Sequence, residues 1–209
     1  MAIAAIDISK HNGSIDFRKV KASNHDINTV IIRTGYGKYS QGQIDKMFFE
    51  NYDKAKAIGM YVGAYHYSYA KNSREAEEEA YAMLKIIGDR KFELPLFYDI
   101  EESVQAKLSK TVCSDMVRTF CNTLENNGKW AGVYSYDSFF GSNLEDSIVA
   151  RYSTWVAKVG GKEPKICKRY DIWQYSWTGK IDGIKGDVDM NYIYRDYPQT
   201  IQKAHLNGY

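Results

Sequence analysis

Apolar positions follow two rhythms along the chain. Short β-branched or aromatic runs alternate with longer stretches where apolar side chains return every three or four residues. The first rhythm predicts strands at residues 2–8, 29–33, 60–67, 94–101, 130–136, 154–159, 171–177 and 188–194. The second predicts helices at 16–23, 45–58, 72–87, 109–127 and 137–146. Helix 72–87 is the clearest. Asn72 stands as its cap with Glu75 three residues on, and Ala76, Ala80, Met83, Leu84 and Ile87 form its apolar stripe. Its run Glu77 to Glu79 reads as a solvated face. In helix 109–127, Val112, Met116, Phe120 and Leu124 follow at four-residue steps, and Gly128 is the stop. After residue 146 the links become short and Gly-rich and leave no room for full helices. The fold class is therefore α/β, an irregular TIM-like barrel of five β/α units followed by three β-strands. Strand–helix alternation implies a parallel sheet, and eight strands can close it. A regular barrel of this kind takes about 250 residues. This chain has 209, and the missing late helices account for the difference. Residues 1–209 read as one domain, with no linker and no second domain.

Composition narrows the function classes. A net charge of +2 over 209 residues gives no electrostatic footprint for nucleic acid. No apolar run reaches membrane-spanning length. Residues 1–7 carry no basic leader before the first strand, so no signal peptide is expected. Cys113, Cys121 and Cys167 form no C-x-x-C pair and read as free structural thiols. Four histidines without ligand spacing point to no metal, and no cofactor is expected. Tyr is abundant at 18 residues, with 4 Trp, which supplies platforms for sugar rings as well as core.

The stretch Leu94–Glu102 carries the chemistry. Asp99 and Glu101 stand two apart after an apolar run, so both carboxylates point the same way with Ile100 opposite. Like charges held close raise each other's pKa, which keeps a carboxylic acid protonated for proton donation. The bland alternative is a strand running into a solvated acidic turn that includes Glu102. The other strand ends weigh against it. In a barrel of this type the site lies at the carboxyl ends of the strands. Those ends offer Asp7, Arg33, His66 with Tyr67, Tyr134 with Tyr136, Trp155, then Trp173, Gln174 and Tyr175, and finally Asp187 with Asp189. Tyr134 and Tyr136 are placed on opposite faces, so at most one faces the cleft. His66 reads as a site residue or as a satisfied core residue. Several carboxylates among aromatics suit glycoside cleavage.

Six fragments, in this order, carry a resemblance to a known family. They are Ile6-Asp7-Ile8-Ser9, Ile32-Arg33-Thr34-Gly35-Tyr36-Gly37, Gly63-Ala64-Tyr65-His66-Tyr67, Tyr98-Asp99-Ile100-Glu101, Trp173-Gln174-Tyr175 and Val188-Asp189-Met190-Asn191. Together they resemble the glycoside hydrolase family 25 lysozymes over nearly the whole chain. The resemblance implies an N-acetylmuramidase that cuts peptidoglycan glycan strands between N-acetylmuramic acid and N-acetylglucosamine, with retention. Glu101 matches the general acid/base and Asp99 its partner, either as nucleophile or beside an oxazoline formed by the substrate's own acetamide. Asp7 and Asp189 match two further carboxylates, with Asp187 left as a turn residue. Arg33, Tyr67, Tyr134, Trp155 and Gln174 match substrate-cleft positions, Arg33 standing where many members have Lys. The implied setting is the bacterial cell wall, reached extracellularly or at phage lysis, by a monomer without membrane insertion. A chitinase-like glycosidase and a non-catalytic wall-binding module are the alternatives.

Overall fold

Eight strands close on themselves in the computed structural model, which describes residues 2–209. They are β1 (Ile3–Ile8), β2 (Thr29–Tyr36), β3 (Tyr61–Tyr67), β4 (Leu96–Asp99), β5 (Ala131–Tyr136), β6 (Ser153–Ala157), β7 (Ile172–Gly179) and β8 (Val188–Ile193), in that order around the barrel. The strands from β1 to β7 pair in parallel. β8 runs antiparallel to both β7 and β1, which corrects the all-parallel expectation. The reason is the short link. With no helix between β7 and β8, the chain cannot return to the far end and forms a hairpin instead. β8 therefore begins, rather than ends, at the rim where the parallel strands finish.

The helices are α1 (Phe17–Ala22), α2 (Phe48–Ala57), α3 (Ser73–Ile87), α4 (Lys110–Asn126), α5 (Asp137–Asn143), α6 (Asp146–Arg151) and α7 (Tyr197–Lys203). Two expected boundaries move. The single helix over 137–146 is two short ones, and α2 starts three residues late. Asp45 is engaged elsewhere: its Oδ2 accepts from the Lys10 amide at 2.9 Å and from Arg33 Nε at 2.8 Å. Asn72 caps α3 through Glu75 N at 3.0 Å. Glu79, expected on a solvated face, is buried, because its Oε1 takes the Tyr69 amide at 2.8 Å. Cys113 and Cys121 are buried thiols, while Cys167 is exposed.

The core has two parts. Outward residues of the strands pack on the helices, as Tyr98 does by stacking on Phe120 of α4 at 4.2 Å. Inward residues fill the barrel: Ala5, Ile31, Phe97, Trp155, Ile172 and Ile193. Gly132 makes room for this layer, since a Cβ there would lie 2.5 Å from the Phe97 ring. Tyr197 and Ile201 of α7 join the inner cluster. Asn207 fastens the same end: its Oδ1 accepts from Trp130 N at 2.7 Å and its Nδ2 donates to Leu94 O at 2.8 Å. α7 was absent from the expected elements, although Asp196 caps it and Pro198 opens its first turn. On β7 and β8 aromatic side chains cover each other where helices are lacking; Tyr175 and Tyr192 stack at 4.4 Å.

Candidate active site

The antiparallel pairing of β1 with β8 sets Asp7 opposite Asp189. Asp7 lies in the barrel, where Asn191 Nδ2 and Gln174 Nε2 donate to its Oδ2 at 2.8 and 2.9 Å. The orientation of both amides is determined by their oxygens. Trp155 Nε1 donates to Asn191 Oδ1 at 2.7 Å, and Tyr134 Oη and Trp177 Nε1 donate to Gln174 Oε1 at 2.8 and 2.9 Å. An amide whose oxygen is occupied by donors must turn its N–H groups to the carboxylate. Burial pushes both carboxyls up, and Asp189 further, because the Asp7 charge repels it while two amides stabilise Asp7 as an anion. At neutral pH this favours an ionised Asp7 beside a protonated Asp189.

Asp99 ends β4 and is buried at 2% exposure. Its Oδ1 has no hydrogen-bond partner within the protein. Burial raises its pKa well above the ordinary value, the neighbouring Glu101 and Asp7 charges add to the rise, and Arg33 opposes it. Glu101 lies two residues past the strand, in the loop, and is half-buried. Its pKa is pushed up to about 7, first by burial and then by the Asp7 and Glu102 charges, while the Tyr136 hydroxyl favours its anion. A carboxylic acid that still holds its proton near neutrality is a competent proton donor. Tyr67 Oη donates to Glu102 Oε1 at 2.8 Å, and Gln105 Oε1 accepts from the Glu102 amide at 2.9 Å, so this loop is fixed at both faces.

A surface concavity of about 800 Å³ around Ser14–Lys19 and Gly183–Lys185 holds none of these four carboxylates. Two smaller ones adjoin the site's aromatics. One, about 220 Å³, contains Tyr67 and Tyr69; the other, about 270 Å³, contains Tyr136 and Trp177. Among the described residues no set of three His, Cys, Asp or Glu side chains could hold a metal ion.

Residues 6–184 match the pattern of glycosyl hydrolases family 25. The chain belongs to this family. It is 31% identical over 188 residues to the autolytic lysozyme of Clostridium acetobutylicum, covering 89% of this chain and 54% of that protein. The chain thus spans about half the length of that curated relative. The modular autolysin LytC from Streptococcus pneumoniae, solved in complex with a synthetic peptidoglycan ligand, superposes with a TM-score of 0.80 at 29% identity, over 92% of this chain and 47% of LytC. The bacterial lysozyme from Streptomyces coelicolor shares the fold, with a TM-score of 0.84 at 24% identity over 100% and 99% of the two chains.

Within the family 25 barrel, the cleft positions expected from sequence separate into two layers. Arg33 and Tyr67 are half-buried at the rim. Trp155, at 1% exposure, and Gln174 and Tyr134 are buried beneath it, so they support Asp7 rather than meet solvent. Trp173 and Tyr175 point outward from β7, where they pair with Tyr192, because alternation sends only Gln174 inward. Tyr134 and Tyr136, assigned to opposite faces, share one: residues two apart on a strand point the same way, and Tyr136 reaches Glu101. His66 is a core residue held by Thr34 Oγ1 and Gly37 O, each at 2.8 Å, and burial lowers its pKa to about 4. Asp187 is an exposed turn residue paired with Lys180 at 2.6 Å. Tyr69 and Trp177, exposed at the rim and missed by the sequence reading, pair with Tyr67 and Tyr136 respectively. Alternation continued two residues past Tyr67 signals Tyr69, whereas Trp177 comes round to Tyr136 through the register shift after Gln174, which alternation does not foretell.

Proposed function

We propose that this chain is a 1,4-β-N-acetylmuramidase that cleaves peptidoglycan glycan strands with retention, and that it acts on the bacterial cell wall. The observation that carries the reading is the placing of Glu101, whose pKa burial lifts to about 7, beside a buried Asp99 with one oxygen unpartnered. Glu101 gives its proton to the glycosidic oxygen as the C1–O bond breaks and its electron pair goes to that oxygen. The vacant Asp99 Oδ1 is suited to accept the N–H of the substrate's 2-acetamido group. That would orient the acetamide carbonyl toward C1 to form an oxazoline; direct attack of Asp99 on C1 is the other route to retained product. Water then adds at C1 and Glu101 takes its proton back. Ionised Asp7 stabilises positive charge developing at the sugar. The ligand-bound autolysin LytC, 29% identical, supports peptidoglycan as the substrate.

The test is mass spectrometry of purified peptidoglycan after digestion by the wild type and by Glu101→Gln. Reducing-end N-acetylmuramic acid is expected from the wild type. The variant should be about 10²–10⁴-fold slower while remaining folded. Reducing-end N-acetylglucosamine would change the bond assigned. Undiminished cleavage by Glu101→Gln would remove Glu101 from its role, and absence of any cleavage by the wild type would leave a wall-binding module.

A further inference from the structure

One flank of the cleft is built to hold an anion and the other is not. Lys10, His11, Arg33, Tyr36, Tyr67 and Tyr69 enclose about 220 Å³ beside the catalytic loop. We propose that this pocket receives the carboxylate of a muramyl unit, and thereby selects muramyl-containing glycans over uncharged N-acetylglucosamine polymers. The proposal rests on the muramidase reading and names what recognises its substrate.

Three observations converge. The first is charge. Arg33 is held by Asp45 through Nε at 2.8 Å, but its Nη2 is buried and has no partner. The Lys10 ammonium lies 5.1 Å from the centre of the Tyr36 ring and has no carboxylate partner among the described residues. The pocket thus offers an ammonium without a counter-charge, with the Arg33 guanidinium lining the same wall. On the opposite flank Lys158 is already matched by Asp137 at 2.6 Å. The second is shape. Tyr69 packs edge-on against Tyr36 and Tyr67 with centroids 6.0 and 5.4 Å away, walls suited to the face of a sugar. The volume fits a substituent better than a run of chain. The third is rigidity. Tyr36 Oη donates to Gly42 O at 2.9 Å, and the Gly37 amide donates to Tyr67 O at 2.9 Å across a turn whose φ of 62° suits glycine. The Tyr69 amide is fixed by buried Glu79. A preorganised cationic pocket loses little on binding. N-acetylmuramic acid differs from N-acetylglucosamine by a lactyl ether, and it brings a carboxylate either on that group or on the peptide stem attached to it.

Calorimetric titration decides the matter, in the Glu101→Gln background so that turnover does not intervene. The ligands are N-acetylglucosaminyl-N-acetylmuramic acid, its lactyl methylamide, and the disaccharide bearing a dipeptide stem with a free carboxylate. At least one acid should bind about tenfold tighter than the methylamide, as charge-assisted hydrogen bonds do. Which acid it is identifies the lactyl or the stem source. Lys10→Gln should erase that preference and Lys10→Arg should restore it. Equal affinity for all three ligands, or equal weakening of all three by Lys10→Gln, would overturn the proposal. Failure of the muramidase reading looks different: the acid preference would persist while the wild type releases no reducing ends.

Discussion

Glu101 and Asp99 differ by what surrounds them. Glu101 has the Tyr136 hydroxyl and partial solvent, whereas Asp99 is buried with one oxygen unpartnered. A general acid works only while protonated, so activity should fall as pH rises through about 7, the value to which burial lifts Glu101. Tyr136 stabilises the Glu101 anion, so Tyr136→Phe should move this alkaline limb to higher pH in a kcat profile. An unmoved limb would separate Tyr136 from the acid. The same burial has a cost in stability. Asp99 binds its proton more tightly folded than unfolded, so its contribution to stability declines as pH rises from the ordinary carboxylate range toward its raised value. Asp99→Asn should therefore raise Tm at pH 8, leave it nearly unchanged near pH 4, and abolish activity; thermal melts at both pH values check this. At this scale the sequence was readable at Asp99, which closes β4, whereas the expected strand does not reach Glu101, which the loop and not period-two alternation positions. It misled for Trp155 and Gln174, because a residue type near a strand end does not reveal whether it stands above the carboxylates or holds them from below. The opposite-face assignment of Tyr134 and Tyr136 failed by setting that same alternation aside.

Between elements, the decisive contacts join loops that sequence spacing does not relate. Gln105, fully buried in the loop after β4, donates through Nε2 to Ser68 Oγ and Ala70 O, each at 3.0 Å, while its Oε1 accepts from the Glu102 amide. It thus ties the loop carrying Glu101 to the one that follows β3. Gln105→Leu keeps the bulk and leaves those buried groups unsatisfied, a loss of about 1–3 kcal/mol. Amide hydrogen exchange should show Glu102 opening faster in that variant, and kcat should drop with Tyr67 still in place. Protection equal to wild type would show that the loop is held by other means. The strand–helix alternation up to α5 was legible because each amphipathic stripe has one sheet face to cover. Glu79 was not, since a run of acids on a helix reads as solvated unless the loop needing its carboxylate is already known to lie over it.

For the molecule as a whole, closure depends on residues beyond the matched family stretch, which ends at residue 184. β8 completes the ring, and Asn207, buried and at φ 56°, fastens the chain to the starts of β4 and β5. Asn207→Ala strands two buried backbone groups at a cost of about 2 kcal/mol, so Tm should fall by about 4–8 °C in calorimetry. A barrel of eight strands was foreseeable from the count and the late loss of helices. The reversal of β8 was not, because direction is set by the length of one link, which alternation does not encode. That reversal places the turn between β7 and β8 on the catalytic face, where Ile181 anchors it in the core and Gly183 O accepts from the Asp16 amide at 3.0 Å, so only around the exposed Lys185 and Gly186 can it lengthen without shifting a packed layer. Loop closure grows only slowly in cost with length. Among descendants of this barrel, the range of glycan chains accepted could diverge through this hairpin while the carboxylates keep their positions.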